Sequence, residues 1–164
     1  MIRKAAEQAY SKMVSAADGA QSVFLLAVRI YWGWQMAQTG WGKLHDLGKV
    51  SDFFTQLGIP APGLTAVLIS ILEFVGGISV AVGFASRLVA ALLMCDMAVA
   101  FLAADRDALF SIFSDPDKLY ASAPYPFLLA FLIVLVFGAG RYCVDGILAK
   151  RHRSPMTLAG SEAR

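Results

Sequence analysis

Four stretches of this chain are long and apolar enough to cross a lipid bilayer, and no other feature limits the fold as much. A helix needs about 20 mostly apolar residues to span a hydrocarbon core ~30 Å thick. The stretches run from about Gln21 to Gly40, Leu64 to Phe84, Leu88 to Ala104 and Pro126 to Gly140. The last two are short, so they must stand with little tilt or borrow flanking residues. Composition agrees: 58% of the 164 residues are hydrophobic and only 16% charged, where a soluble domain carries about a quarter. Mean hydropathy is +0.63. The expected fold is all-α, an integral membrane four-helix bundle with a short interfacial helix between helices 1 and 2.

The connections differ in kind. Between Trp41 and Pro62, the apolar residues Leu44, Leu47, Val50, Phe53, Phe54 and Leu57 recur at spacings that suit an amphipathic interfacial helix ending at Gly58. Ala85 to Arg87 is so short a turn that helices 2 and 3 must be antiparallel neighbours. Asp105 to Pro124 reads as an acidic loop with Asp105, Asp107, Asp115 and Asp117. Residues 1–19 carry Arg3, Lys4, Glu7, Lys12 and Asp18 and have no apolar signal-peptide region, so they are expected to form a peripheral helix. Residues 20–150 form the transmembrane domain and residues 151–164 a disordered cytoplasmic tail. Both termini then share one side, with Arg3, Lys4, Lys12, Arg87, Arg141, Lys150, Arg151 and Arg153; Lys43, Lys49, Arg106 and Lys118 lie opposite. That asymmetry places both termini in the cytoplasm. The net charge of +2 gives no reason to expect nucleic acid. Cys95 and Cys143 make no motif and read as small apolar core residues. His45 and His152 stand alone, so no metal site is expected.

The charges inside the apolar runs are the informative feature, and they lock the bundle together, form a binding or redox site, or line a proton or ion path. Arg29 lies in helix 1, Glu73 in the middle of helix 2 and Asp96 in the middle of helix 3. Each costs about 2.5–3.5 kcal/mol at a helix centre on insertion scales, so such residues face the bundle interior and pair. The expected pairing is Arg29 with Glu73, leaving Asp96 neutral, because one cation facing two acids leaves an excess negative charge. Small residues Gly33, Gly76 and Gly77 share faces with these charges and permit close approach of helices. Arg87 and Asp145, at helix ends on the terminal side, read as a clasp. Lys43, at the outer end of helix 1, has Asp46 and Asp52 as local partners or serves an anionic ligand.

From Leu26 to Leu148 the residues resemble the DoxX family of small four-helix membrane proteins. Arg29 and Gly33 followed by Gly42-Lys43-Leu44 are similar to the family's R…G…G-x-K-L pattern, and Phe53…Leu57-Gly58-Ile59-Pro60 to the stretch after it. Glu73-Phe74-Val75-Gly76-Gly77 with Gly83…Arg87 resembles its E-x-x-G-G…G-x-x-x-R signature, and Gly138 to Asp145 its G-P-G-x-x-S-L-D ending. In that ending Ala139 replaces Pro and Cys143 replaces Ser. Many relatives carry a His near the outer end of helix 3, where this chain has Ala103-Ala104-Asp105, and Asp96 has no counterpart in the pattern.

The resemblance implies a multi-pass protein of the bacterial cytoplasmic (inner) membrane, linked to thiosulfate–quinone oxidoreduction or to complexes that handle thiol and oxidative stress. The functional expectation is a membrane subunit of a redox system, quinone- or thiol-linked, with a buried Arg/Glu site for a small polar or quinone-type ligand. At most it is a subunit of an oxidoreductase complex, with no intrinsic cofactor and quinone as the candidate ligand. Oxidoreductase or thiol-handling proteins, or a second copy of the chain, are the expected partners besides lipid. The alternatives are a non-catalytic membrane anchor or scaffold and, less favoured for want of a repeat, a small-solute transporter.

Overall fold

The computed structural model describes residues 2–140 and 142–145, with the side chains of residues 2–6 and 9 left out. The expected tail 151–164 and the cations Arg141, Lys150, Arg151 and Arg153 lie outside the described residues, as do the side chains of Arg3 and Lys4. Among the described residues every regular element is a helix.

Helix α1 runs from Ile2 to His45 without interruption. The expected boundary near residue 19, between a peripheral helix and the first span, is therefore no break. No proline intervenes, and Ala, Gln and Ser on both sides of Gly19 carry the hydrogen-bond ladder through it. At 1.5 Å per residue the 44 residues extend about 66 Å, twice the thickness of a hydrocarbon core. Residues 10–21 are exposed on every side, so this half of the helix stands clear of the remaining elements.

The helix expected between helices 1 and 2 is present as α2, Leu47–Gln56, which packs on α3. The Asp46 side chain accepts a hydrogen bond from Lys49 N at its start, and Gly58 at φ 71° follows its end. Helix α3, Pro62–Val82, begins on a proline, which sacrifices no intrahelical bond at that position. It stops at Gly83, whose φ of 81° is the left-handed geometry glycine adopts freely. Helix α4, Ser86–Ala103, follows at once as the antiparallel neighbour. The expected acidic loop contains two short helices, α5 (Arg106–Phe110) and α6 (Pro116–Ala121). Helix α7 is Pro124–Phe137.

Among the described residues, three helices are able to cross a membrane by length and composition: α1 from Tyr10, α3 and α4. Helix α7 is as apolar but has 14 residues, about 21 Å of rise. Packing runs α1 on α3, α3 on α4, α4 on α7 and α7 on α1. The shared core is Met36, Val80, Ala90, Leu93, Met97, Phe131 and Val134. Cys143 is buried as expected, whereas Cys95 falls on the exposed side of α4.

Candidate functional site: Lys43, Glu73 and Asp96

The site begins with glycines. A Cβ on Gly40 would lie 2.3 Å from Phe74 N and 2.8 Å from Ser70 O. One on Gly77 would lie 2.5 Å from Ala37 N, and one on Gly33 2.7 Å from Gly77 O. Contacts of this kind exist only where two backbones touch. Gly33, Ala37 and Gly40 thus lock α1 against α3 in one register. Gly76 faces the other way, with Leu93 and Val89 of α4 3.3 Å from its missing Cβ.

That register decides which charges meet. Gly40 stands at the level of Glu73, so Lys43, one turn further along α1, leans over the carboxylate. Lys43 Nζ lies 2.5 Å from Glu73 Oε1. Glu73 is 1% exposed, while the Lys43 side chain is 33% exposed. Asp96 comes in from α4 within electrostatic reach of both Glu73 and Lys43. Glu73 Oε2 and Asp96 Oδ2 are buried and have no hydrogen-bond partner.

Apolar side chains close around the three groups. A cavity of about 150 Å³ is lined by Lys43, Glu73 and Asp96 with Phe53 and Phe54 of α2, Ile69 of α3 and Met97 of α4. A second, wider cavity of about 300 Å³ reaches Lys43 and Glu73 from the α7 side, past Met36, Phe127 and Asp105. The ion pair and Met97 border both cavities. At the nearby start of α2, Lys49 holds the Asp46 carboxyl below the usual carboxylate range through its side-chain hydrogen bond. Asp46 in turn raises the Lys49 ammonium.

The expected Arg29–Glu73 pair does not form. Gly40, at the level of Glu73, lies 11 residues beyond Arg29, about 16 Å along the helix axis. Arg29 instead sits at the level of Gly83, where a Cβ would come within 3.0 Å of the guanidinium carbon and 2.6 Å of Cys143 Cβ. It is 1% exposed and donates to the carbonyls of Ala139 and, at 2.9 Å, Tyr142. Two backbone carbonyls, with Cys143 and Asp145 nearby, answer this charge.

The expected Arg87–Asp145 clasp takes another form. The Asp145 carboxylate accepts from Ala85 N at 2.8 Å and Ser86 N at 3.2 Å, capping α4. Asp145 N also donates to Gly83 O at 3.1 Å. Arg87 is aimed at Val136 O, 3.4 Å away. Asp145 therefore ties the start of α4 to the segment after α7, as a clasp would, but through backbone N–H groups. Glu73 and Asp96 line one cavity, and Arg29 is held apart. Lys43 is the cation that sequence reasoning placed at the edge, and its position one turn after Gly40 was the available signal.

The DoxX family model matches residues 24–106, which is half of the chain. It takes in the Gly33/Gly40/Gly77 contact, Lys43, Glu73 and Asp96. The chain belongs to the DoxX family. The match stops before α7, so the DoxX-like ending at Gly138–Asp145 lies beyond it. No curated protein and no solved structure matches the chain.

Proposed function

We propose that this DoxX protein is a membrane subunit of a redox system and that its Lys43/Glu73/Asp96 pocket binds the head of a quinone-type ligand. The observation that carries the reading is a fully buried carboxylate, Glu73, paired with Lys43 beside an apolar cavity of about 150 Å³. A cavity of that size holds one six-membered ring. Pockets with this makeup, apolar walls and a few convergent polar groups, are the usual form of a small-ligand site. Lys43 would donate to a ring oxygen, the two carboxyls would handle its proton, and the wider cavity would take further ring substituents. Electrons would pass to or from a partner protein, an oxidoreductase or thiol-handling enzyme of the same membrane. In this reading α7 is the fourth crossing and both termini lie in the cytoplasm of a bacterial cell, with the pocket near the outer face.

The test is direct. Protein purified in mild detergent should release quinone on solvent extraction. After lipid stripping it should rebind decylubiquinone saturably, read by the fluorescence of Trp41, whose ring lies 5.2 Å from Phe74 beside the site. Glu73→Gln should weaken binding about tenfold or more, the usual worth of a charge-assisted hydrogen bond. Absence of saturable binding by the stripped wild type would sink the reading.

One observation favours a second function, a non-catalytic scaffold: residues 10–21 of α1 stand exposed on every side and offer a free helical arm. Recovery of a partner enzyme from native membranes by protein that binds no quinone would select it.

A further inference from the structure

Glu73 and Asp96 pose a problem of hydrogen-bond supply that Lys43 solves only in part. Lys43 Nζ occupies Glu73 Oε1 at 2.5 Å. Glu73 Oε2 and Asp96 Oδ2 are both buried, and no donor reaches either. Both carboxyls line the same cavity, one from α3 and one from α4. Two ionised carboxylates beside one ammonium would leave a net negative charge among Phe53, Phe54, Ile69 and Met97. Like charges gathered in an apolar pocket repel, and a proton on one of them relieves the repulsion.

Among the described residues, the remaining neighbours that line the two cavities supply no second cation. Helix α1 brings Lys43; its other buried cation, Arg29, is committed to Ala139 and Tyr142 near the opposite end of the helix. Helix α2 contributes Phe53 and Phe54, and α7 contributes Pro124 and Phe127. Asp105, following α4, borders the wider cavity and adds a further acid.

We propose that Glu73 and Asp96 hold one exchangeable proton between them, so that with Lys43 the site is an electrically neutral proton-binding site. A single proton supplies the donor that both oxygens lack and removes the excess charge. A ligand oxygen entering the smaller cavity then meets a proton source and an ammonium donor together. The inference deepens the ligand reading and rests on the same pocket, but the proton is observable with no ligand present.

Infrared spectroscopy of the full chain in liposomes at neutral pH, without quinone, tests it. The wild type should show the carbonyl band of a protonated carboxyl, shifted in deuterium oxide. Asp96→Asn and Glu73→Gln should each abolish that band while circular dichroism stays helical. A wild type without such a band overturns the proposal, whatever the variants do. A band kept by either variant places the proton on one carboxyl alone and overturns the sharing. Quinone titration is a separate measurement, so the ligand and the proton can fail independently.

Discussion

Lys43 and Glu73 are asymmetric partners: one is a third exposed, the other lies fully inside. Taking away the lysine therefore strands a buried carboxylate, whereas taking away the carboxylate frees a lysine that can turn to water. Lys43→Met should lower stability by about 1–3 kcal/mol, below the range for a fully enclosed pair because Lys43 retains some solvation. Combining it with Glu73→Gln should cost less than the two single losses added together, since the couple vanishes as a unit. Thermal unfolding in detergent across this cycle measures both quantities. Glu73 and Asp96 were legible as buried charges because an acid inside a long apolar run has few places to go. The identity of their cation was not. Arg29 is the more deeply placed cation in the sequence, and only the contact between α1 and α3 shows that it stands about 16 Å from the level of Glu73.

At the scale of elements, that contact is the controlling feature. Gly40 and Gly42 are neighbours on α1 with opposite surroundings: a Cβ on Gly40 would strike the backbone of α3, and one on Gly42 would meet nothing within 4 Å. Gly40→Ala should force α1 and α3 apart, cost more than about 2 kcal/mol as overpacking does and weaken quinone binding through the displaced Lys43. Gly42→Ala should be neutral or stabilise by about 0.5–1 kcal/mol, the ordinary gain of alanine over glycine in a helix. Thermal melting of the two variants side by side gives the comparison. Helices α3 and α4, with the turn between them, were readable from hydropathy and from Gly83. Helix α2 was readable from its spacing of apolar residues. The continuity of α1 was not, because charged residues and Gly19 at its start resemble a boundary, whereas backbone hydrogen bonding continues through them unless a proline interrupts it. Helices α5 and α6 escaped for a different reason: at five and six residues they are too short to show a period.

For the molecule as a whole, two devices at opposite ends of the helices hold it in one arrangement. Near the close of α1 the Lys43–Glu73–Asp96 group joins α1, α3 and α4. Far from it, Arg29 binds the carbonyls of the segment after α7, and Asp145 in that segment caps α4. Arg29→Met should leave Ala139 and Tyr142 unsatisfied, lower stability by about 2–4 kcal/mol at the usual cost per orphaned group, and speed proteolytic cleavage between Phe137 and Asp145. A variant as resistant to protease as the wild type would show that the segment is held by other contacts.

The Arg29 contact also sets an order on biosynthesis. The guanidinium belongs to the first apolar helix to be made, yet the oxygens that receive it belong to residues 139 and 142, translated more than a hundred positions later. Until the ribosome has delivered that segment, the nascent chain carries an unanswered cation within α1. Delivery of residues 139–142 is thus the event that answers a demand made more than a hundred positions earlier.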